Sequence, residues 1–295
     1  MNCTLCPRHC GATRADTHSL GVCRSTQTAY VTRAAAHIWE EPCLSGKNGS
    51  GTIFFAGCNL GCVFCQNAAI SRNGQTGTPV DAAGLRQIME RLCATGVHNI
   101  NLVTPTHFIP TVEQALAAPL PLPVVYNCGG YESVESLRRL EGKVQIYLPD
   151  MKYAQSEPAA AYSLAADYPQ VAKAAIREMV RQRGACRFDE EGLLQSGVII
   201  RHMILPGHTA NTLAVIDWVA NTFAPGEVLF SLMAQYTPTP AVKDLPPLHR
   251  TVTRREYEKC RDHLFDSGIE LGYVQERTAA NAGYVPDFDG TGVTE

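Results

Sequence analysis

The chain has no apolar run long enough to make a bilayer-spanning helix, and its first residues lack the charged-then-apolar pattern of a secretory leader. A membrane role and secretion are therefore not expected, and a cytoplasmic location is. A long basic run is missing too, and a formal charge of −3 over 295 residues supplies no electrostatic footprint for nucleic acid. Gly46-Lys47-Asn48-Gly49-Ser50-Gly51 lacks the order of a phosphate loop, because the lysine precedes most of the glycines and no Ser or Thr follows it directly. No internal repeat is present, which excludes a solenoid. Cysteine, by contrast, is plentiful: there are 12, read as reduced thiols and metal ligands rather than disulfides in such a chain. With 45% hydrophobic residues the chain can bury a substantial core, in one large α/β domain or in two.

Three of the cysteines stand in Gly57-Cys58-Asn59-Leu60-Gly61-Cys62-Val63-Phe64-Cys65-Gln66-Asn67. A four-iron cluster takes four thiolates when fully ligated by protein, so a compact loop supplying Cys58, Cys62 and Cys65 leaves one iron open to a small molecule. Gly57 and Gly61 permit the close approach that a loop around an inorganic cube requires, and Phe64 offers a flat apolar face beside it. The preceding Thr52-Ile53-Phe54-Phe55 is β-branched, aromatic and bounded by glycines, the pattern of a buried strand that delivers the loop to a sheet edge. A structural zinc site completed by a distant ligand is the plainer alternative, although zinc loops are more often paired Cys-x-x-Cys knuckles.

The three-then-two spacing with an aromatic before the last cysteine resembles the radical SAM superfamily. The flanking Gly51-Thr52-Ile53-Phe54-Phe55-Ala56-Gly57-Cys58 and Cys65-Gln66-Asn67 resemble the branch related to pyruvate formate-lyase activating enzymes. The resemblance implies a [4Fe-4S] cluster on Cys58, Cys62 and Cys65. It implies S-adenosylmethionine on the open iron and reductive cleavage to a 5'-deoxyadenosyl radical that abstracts hydrogen, with the cofactor carrying the hard chemistry.

After the loop, strand and helix patterns alternate. Asp81 to Leu92 begins with a capping residue and has helical periodicity; strand candidates are Thr52 to Phe55, Asn99 to Val103, Pro123 to Asn127, Val144 to Leu148, Val198 to Leu205 and Val228 to Met233. Such alternation predicts parallel β/α units. The family resemblance implies a partial, six-stranded (β/α) barrel over residues 46–295, preceded by a small cysteine-rich, metal-binding extension over residues 1–45. Ligands of parallel sheets gather at strand C-terminal ends, where Asn127-Cys128, Asp150-Met151-Lys152 and Arg201-His202 fall.

Asp150 and Lys152 share one side of an extended segment and suit a ligand with both charges. The resemblance to the Asp-x-Lys element of the activating enzymes implies cofactor binding by this pair, with Asn127 and His202. An intramolecular ion pair at the sheet edge is the alternative. Many superfamily members end the second strand in Gly-Gly-Glu, but here Val103 runs into Thr104-Pro105-Thr106-His107. The hydroxyls of Thr104 and Thr106 can accept from the cofactor's ammonium, or they cap a turn broken by Pro105; His107 faces cofactor or substrate.

At the N-terminus Cys3, Cys6, Cys10 and Cys23 can close a second metal site, with zinc, an auxiliary iron–sulfur cluster and redox-active thiols all open. His9 is read as a bystander, and Tyr236 to Pro240 as a possible lid. The expected function is a radical SAM oxidoreductase that, by family analogy, takes hydrogen from a glycine Cα of a glycyl radical enzyme and needs an electron donor. Radical modification of a peptide or small molecule, and a non-catalytic iron–sulfur or zinc protein that transfers electrons or scaffolds a partner, are the alternatives.

Overall fold

The computed structural model describes residues 3–15, 21–280 and 285–294. Among the described residues one mixed sheet contains β1 (Ala29–His37), β2 (Ser50–Phe55), β3 (Thr78–Val80), β4 (Ile100–Val103), β5 (Val124–Cys128), β6 (Ile146–Pro149), β7 (Arg187–Phe188), β8 (Leu194–Met203), β9 (Leu229–Met233) and β10 (Gly272–Val274). The order is β10-β9-β8-β6-β5-β4-β2-β1-β3, with β7 paired to β8. From β2 through β4, β5, β6, β8 and β9 to β10 the neighbours are parallel and join the sheet in chain order. Parallel neighbours need crossovers, and helices such as Ala82–Ala94, Tyr168–Arg183 and Thr209–Thr222 provide them.

These helices form for local reasons. In Ala82–Ala94 the Asp81 side chain accepts from the Gly84 amide at 2.8 Å, an N-cap. Leu85, Ile88, Met89 and Leu92 then recur on the buried stripe. Helix Arg254–Asp266 opens with a reciprocal capping box between Thr253 and Glu256.

All six expected strands are present in the parallel series. Four others, β1, β3, β7 and β10, were not legible. β10 has only three residues, too few for a periodic signal. β1 lies within the stretch expected to be an extension outside the sheet, yet it pairs antiparallel with β2, Val31 opposite Phe55 and His37 opposite Ser50. Its Ala34-Ala35-Ala36 centre has little intrinsic strand preference, so pairing with β2 decides its conformation. No helix among the described residues is long and apolar enough to cross a membrane.

Alternation along the strands gives the sheet two faces. Ile53, Leu102, Tyr126, Tyr147, Ile200 and Phe230 belong to the large core that includes the crossover helices. Val125, Ile146, Leu148, Ile199 and Leu229 face the other way and pack on Cys43 and Leu44, from the short segment after β1. Asn99 ties that segment down, donating to the Leu44 carbonyl at 2.8 Å while its amide oxygen accepts from Ser50 Oγ at 2.6 Å. The chain after β1 thus plugs the second face, with Glu40 and Glu41 just ahead of the plug. Leu44→Ala should cost about 3 kcal/mol in urea unfolding, as buried leucine truncations do, whereas Ile38→Ala, at a side chain 59% exposed, should cost under about 0.5 kcal/mol. Equal effects would contradict the packed plug.

Candidate active site

The three-cysteine loop begins where β2 stops. Gly57 adopts φ +82, and a Cβ there would sit 2.8 Å from the Cys23 carbonyl oxygen, so only glycine fits between the loop and the N-terminal segment. Each of the three thiols has a polar neighbour: Cys58 Sγ accepts from the Leu60 amide at 3.4 Å, Cys62 Sγ from Ser163 Oγ at 2.9 Å, and Cys65 Sγ lies 3.4 Å from Ser71 Oγ. Burial pushes the Cys58 thiol far above its ordinary range, and the nearby Cys62 and Cys65 thiols add to the rise. Burial raises Cys62 as well, opposed by the Lys152 ammonium. Among the described residues no three His, Cys, Asp or Glu groups are arranged to hold one metal ion. Thiols that bind separate corners of a cube have no need to converge on one point, and the donor set of these three suits a cluster.

Cys62 and Cys65 open onto a cavity of about 240 Å³ that Phe64, Asn127, Asp150, Lys152, Arg201 and Glu40 also line. Its bed is a chain of charges. Asp150 Oδ2 lies 2.5 Å from Lys152 Nζ and its Oδ1 3.0 Å from Arg201 Nε. Arg201 continues to Asn127 Oδ1 at 2.7 Å and to Glu40 Oε2 at 3.4 Å, and Asn127 Nδ2 donates to Glu40 Oε1 at 3.2 Å. Burial alone would raise the Asp150 carboxyl, but the Lys152 and Arg201 cations hold it below its usual range. Burial would likewise discharge Lys152, yet the Asp150 carboxylate keeps it charged well beyond neutral pH. Behind Glu40, burial pushes the Glu41 carboxyl up, with Arg201 and Ser231 opposing.

The backbone under these charges is pinned. Tyr168 Oη reaches the carbonyls of Gly129 and Asp150 at 2.8 and 2.7 Å and accepts from the Lys152 amide at 2.9 Å. The Asn211 side chain brackets the next residues, donating to the Lys152 carbonyl at 3.1 Å and accepting from the Ala154 amide at 2.9 Å. Phe64 meets Tyr236 edge to face at 6.1 Å, and Thr239 Oγ1 donates to the Val63 carbonyl at 3.2 Å. The Tyr236 to Pro240 connection therefore packs on the cluster loop.

Other expected residues turn elsewhere. His202 is 0% exposed on the face opposite Arg201, with ring nitrogens 2.6 Å from the Met151 carbonyl and 3.0 Å from Thr212 Oγ1, so it does not reach the cavity. Thr106 is buried and donates to Glu132 Oε1 at 2.6 Å; Thr104, at φ +61, uses its amide on the Asn127 carbonyl at 2.8 Å, and neither threonine lines the cavity. His107 sits under the loop, its Nε2 2.7 Å from the Ala56 carbonyl. In the leader Cys6 and Cys23 are buried, Cys3 is partly exposed and Cys10 exposed. Burial pushes the Cys6 thiol up to about 12, with the nearby Cys23 and Cys3 contributing. Glu40, absent from the sequence-derived candidates, is the acid that sequence reasoning missed.

No family model matches the chain. An uncharacterized protein of Methanocaldococcus jannaschii is 29% identical over 282 residues, covering 92% of this chain and 77% of its own length. Among solved structures the fold is similar to that of HydG, a maturase of the [FeFe]-hydrogenase, with a TM-score of 0.51 at 14% identity over 77% of this chain and 50% of that one. Streptococcus suis SuiB bound to its precursor peptide SuiA gives a TM-score of 0.48 at 14% identity, over 74% of this chain and 46% of that one. The chain thus spans about half the length of these structures. HydG establishes the likeness of fold, a mixed α/β architecture with a large parallel sheet.

Burial lowers His202 to about 4 and His107 to about 3. Unfolding therefore takes up a proton at each below about pH 6.5, and the folded state loses stability as pH falls toward 4. Glu132, pushed up to about 7 by burial, works the other way between about 4.5 and 7. His202→Gln should lower the slope of unfolding free energy against pH, between 4.5 and 6, by about 1.4 kcal/mol per unit. Urea titrations at several pH values check this.

Proposed function

We propose that the chain is a radical SAM enzyme, with Cys58, Cys62 and Cys65 as the cluster ligands and S-adenosylmethionine bound in the adjoining cavity. The observation that carries the reading is the opening of Cys62 and Cys65 onto a cavity whose bed holds both signs of charge. The fold shared with HydG, a maturase of the [FeFe]-hydrogenase, is compatible with it. In this reading the parallel sheet is an open (β/α) barrel with β10 as a seventh strand, and the strand ends form its mouth.

When bound, the cluster and cofactor supply one-electron reduction of a sulfonium and hydrogen abstraction. The residues of the chain bind and orient. Lys152 would offer its ammonium to the cofactor carboxylate. Asp150 is held at 2.5 and 3.0 Å by two cations, whereas the contacts of Glu40 to Arg201 and Asn127 are longer, 3.4 and 3.2 Å, so Glu40 is the carboxylate more readily given to an ammonium. Glu40 thus takes the part that the missing glutamate after β4 leaves open. Phe64 provides an apolar wall, and the Tyr236 segment behind it keeps water from the loop.

The hydrogen donor is, by family analogy, a glycine Cα in a partner enzyme, with a peptide or small molecule as the other candidate. Cys3, Cys6, Cys10 and Cys23 are proposed as a second metal site; because they do not converge on one point, an auxiliary cluster suits them better than a single zinc ion. A physiological electron donor completes the scheme.

Two measurements test this reading. Reduced wild-type protein should form 5'-deoxyadenosine from S-adenosylmethionine and Cys62→Ala should not; retained cleavage in the variant would sink the ligand assignment. Glu40→Gln should weaken S-adenosylmethionine binding by about 10- to 100-fold, the worth of one charge-assisted hydrogen bond. An analogue lacking the amino group should bind both forms alike. Equal weakening for both ligands would make Glu40 a support for Arg201 instead.

A further inference from the structure

The cysteine-rich leader touches the cluster loop at both of its flanks. Arg8 donates through Nε to the Asn59 carbonyl at 2.8 Å, through Nη2 to the Ser163 carbonyl at 3.1 Å, and through Nη1 to the Leu164 carbonyl. Asn59 follows Cys58 directly, and Ser163 is the residue whose hydroxyl donates to Cys62 Sγ. The same guanidinium lies 5.1 Å from the centre of the Tyr131 ring, and the Tyr131 backbone carbonyl accepts from Asn59 Nδ2 at 2.6 Å. On the other flank Arg24 Nη1 donates to the Arg72 carbonyl at 2.8 Å, and Arg72 Nη2 donates to the Cys62 carbonyl at 2.9 Å. Between them the Cys23 carbonyl abuts Gly57.

Both arginines stand beside leader cysteines: Arg8 is two residues after Cys6, and Arg24 directly follows Cys23. Cys6 and Cys23 are buried near each other, and the His9 amide closes a turn onto the Cys6 carbonyl at 3.1 Å, with Arg8 inside the turn. An irregular loop belongs to the least stable part of a fold unless outside contacts hold it. A rigid guanidinium fork that satisfies three carbonyls is well suited to hold it.

We propose that the leader is a clamp on the cluster loop, and that Arg8 and Arg24 are positioning residues that set Cys58 and Cys62 for cluster binding. The proposal rests on the assignment of a cluster to Cys58, Cys62 and Cys65. Its test is read without cluster or cofactor, so the two can fail separately.

Hydrogen exchange on the full chain, cluster-free, reduced and anaerobic, should show amides 57–65 opening about tenfold faster in Arg8→Ala and Arg24→Ala than in wild type. Amides of β5 and β6 should be unchanged. Guanidinium ion at millimolar concentration should restore protection in Arg8→Ala, which a general loss of packing would not allow. Iron bound on reconstitution should fall below the wild-type amount in both variants. Unchanged exchange at 57–65 in both variants would overturn the proposal. So would a rise spread evenly into β5 and β6. Absence of 5'-deoxyadenosine from wild type, with the exchange result intact, would count against the radical SAM reading and leave the clamp standing.

Discussion

Asp150 accepts from Lys152 and Arg201 at once, and the rest of the site hangs on that sharing. A buried carboxylate with one cation is costly to desolvate. With two cations it stays ionised, keeps both of them charged, and ties β6 to β8 at the edge where the cavity opens. Arg201 then spends its remaining donors on Asn127 at the end of β5 and on Glu40 from the plug. Three strand ends and one loop are thereby held in register by a single polar chain. The arrangement tolerates burial because nearly every charge in it has an opposite partner within hydrogen-bonding reach.

The fold makes such a chain possible. Parallel strands that join the sheet in order put every C-terminal end on one edge, so residues distant in sequence meet without a long loop. The two faces are used differently. One is covered by the crossover helices; the other takes the Cys43 and Leu44 plug, which delivers Glu40 to the strand ends from a stretch that precedes β2. Gly130, at φ +78, lets the turn after β5 pass so close to the Asp150 carbonyl that no Cβ would fit.

Features that depend on short spacing were legible in the sequence. The three-cysteine loop that follows β2 is one: Cys58, Cys62 and Cys65 lie within eight consecutive positions. Asp150 and Lys152, two apart on an extended segment, face together as strand alternation requires. The same alternation argues against His202, since its neighbour Arg201 faces the cavity and consecutive strand residues point apart. Thr106 was misplaced for another reason: its partner, Glu132, comes from beyond β5, and pairing with a buried carboxyl outweighs any cavity-facing role. Glu40 was hidden because nothing local to it marks the segment after β1 as a plug. Arg8, bonded to residues 51, 155 and 156 positions away, carries no local signal at all.

The proposed function turns on an iron of a three-thiolate cluster that is open to the cavity. It is tested most directly by the electron paramagnetic resonance spectrum of the anaerobically reconstituted, reduced protein, recorded with and without S-adenosylmethionine. The cluster signal should shift and change shape when the cofactor is added, because the cofactor would meet the open iron. An intact reduced cluster whose spectrum is identical in both samples would contradict it.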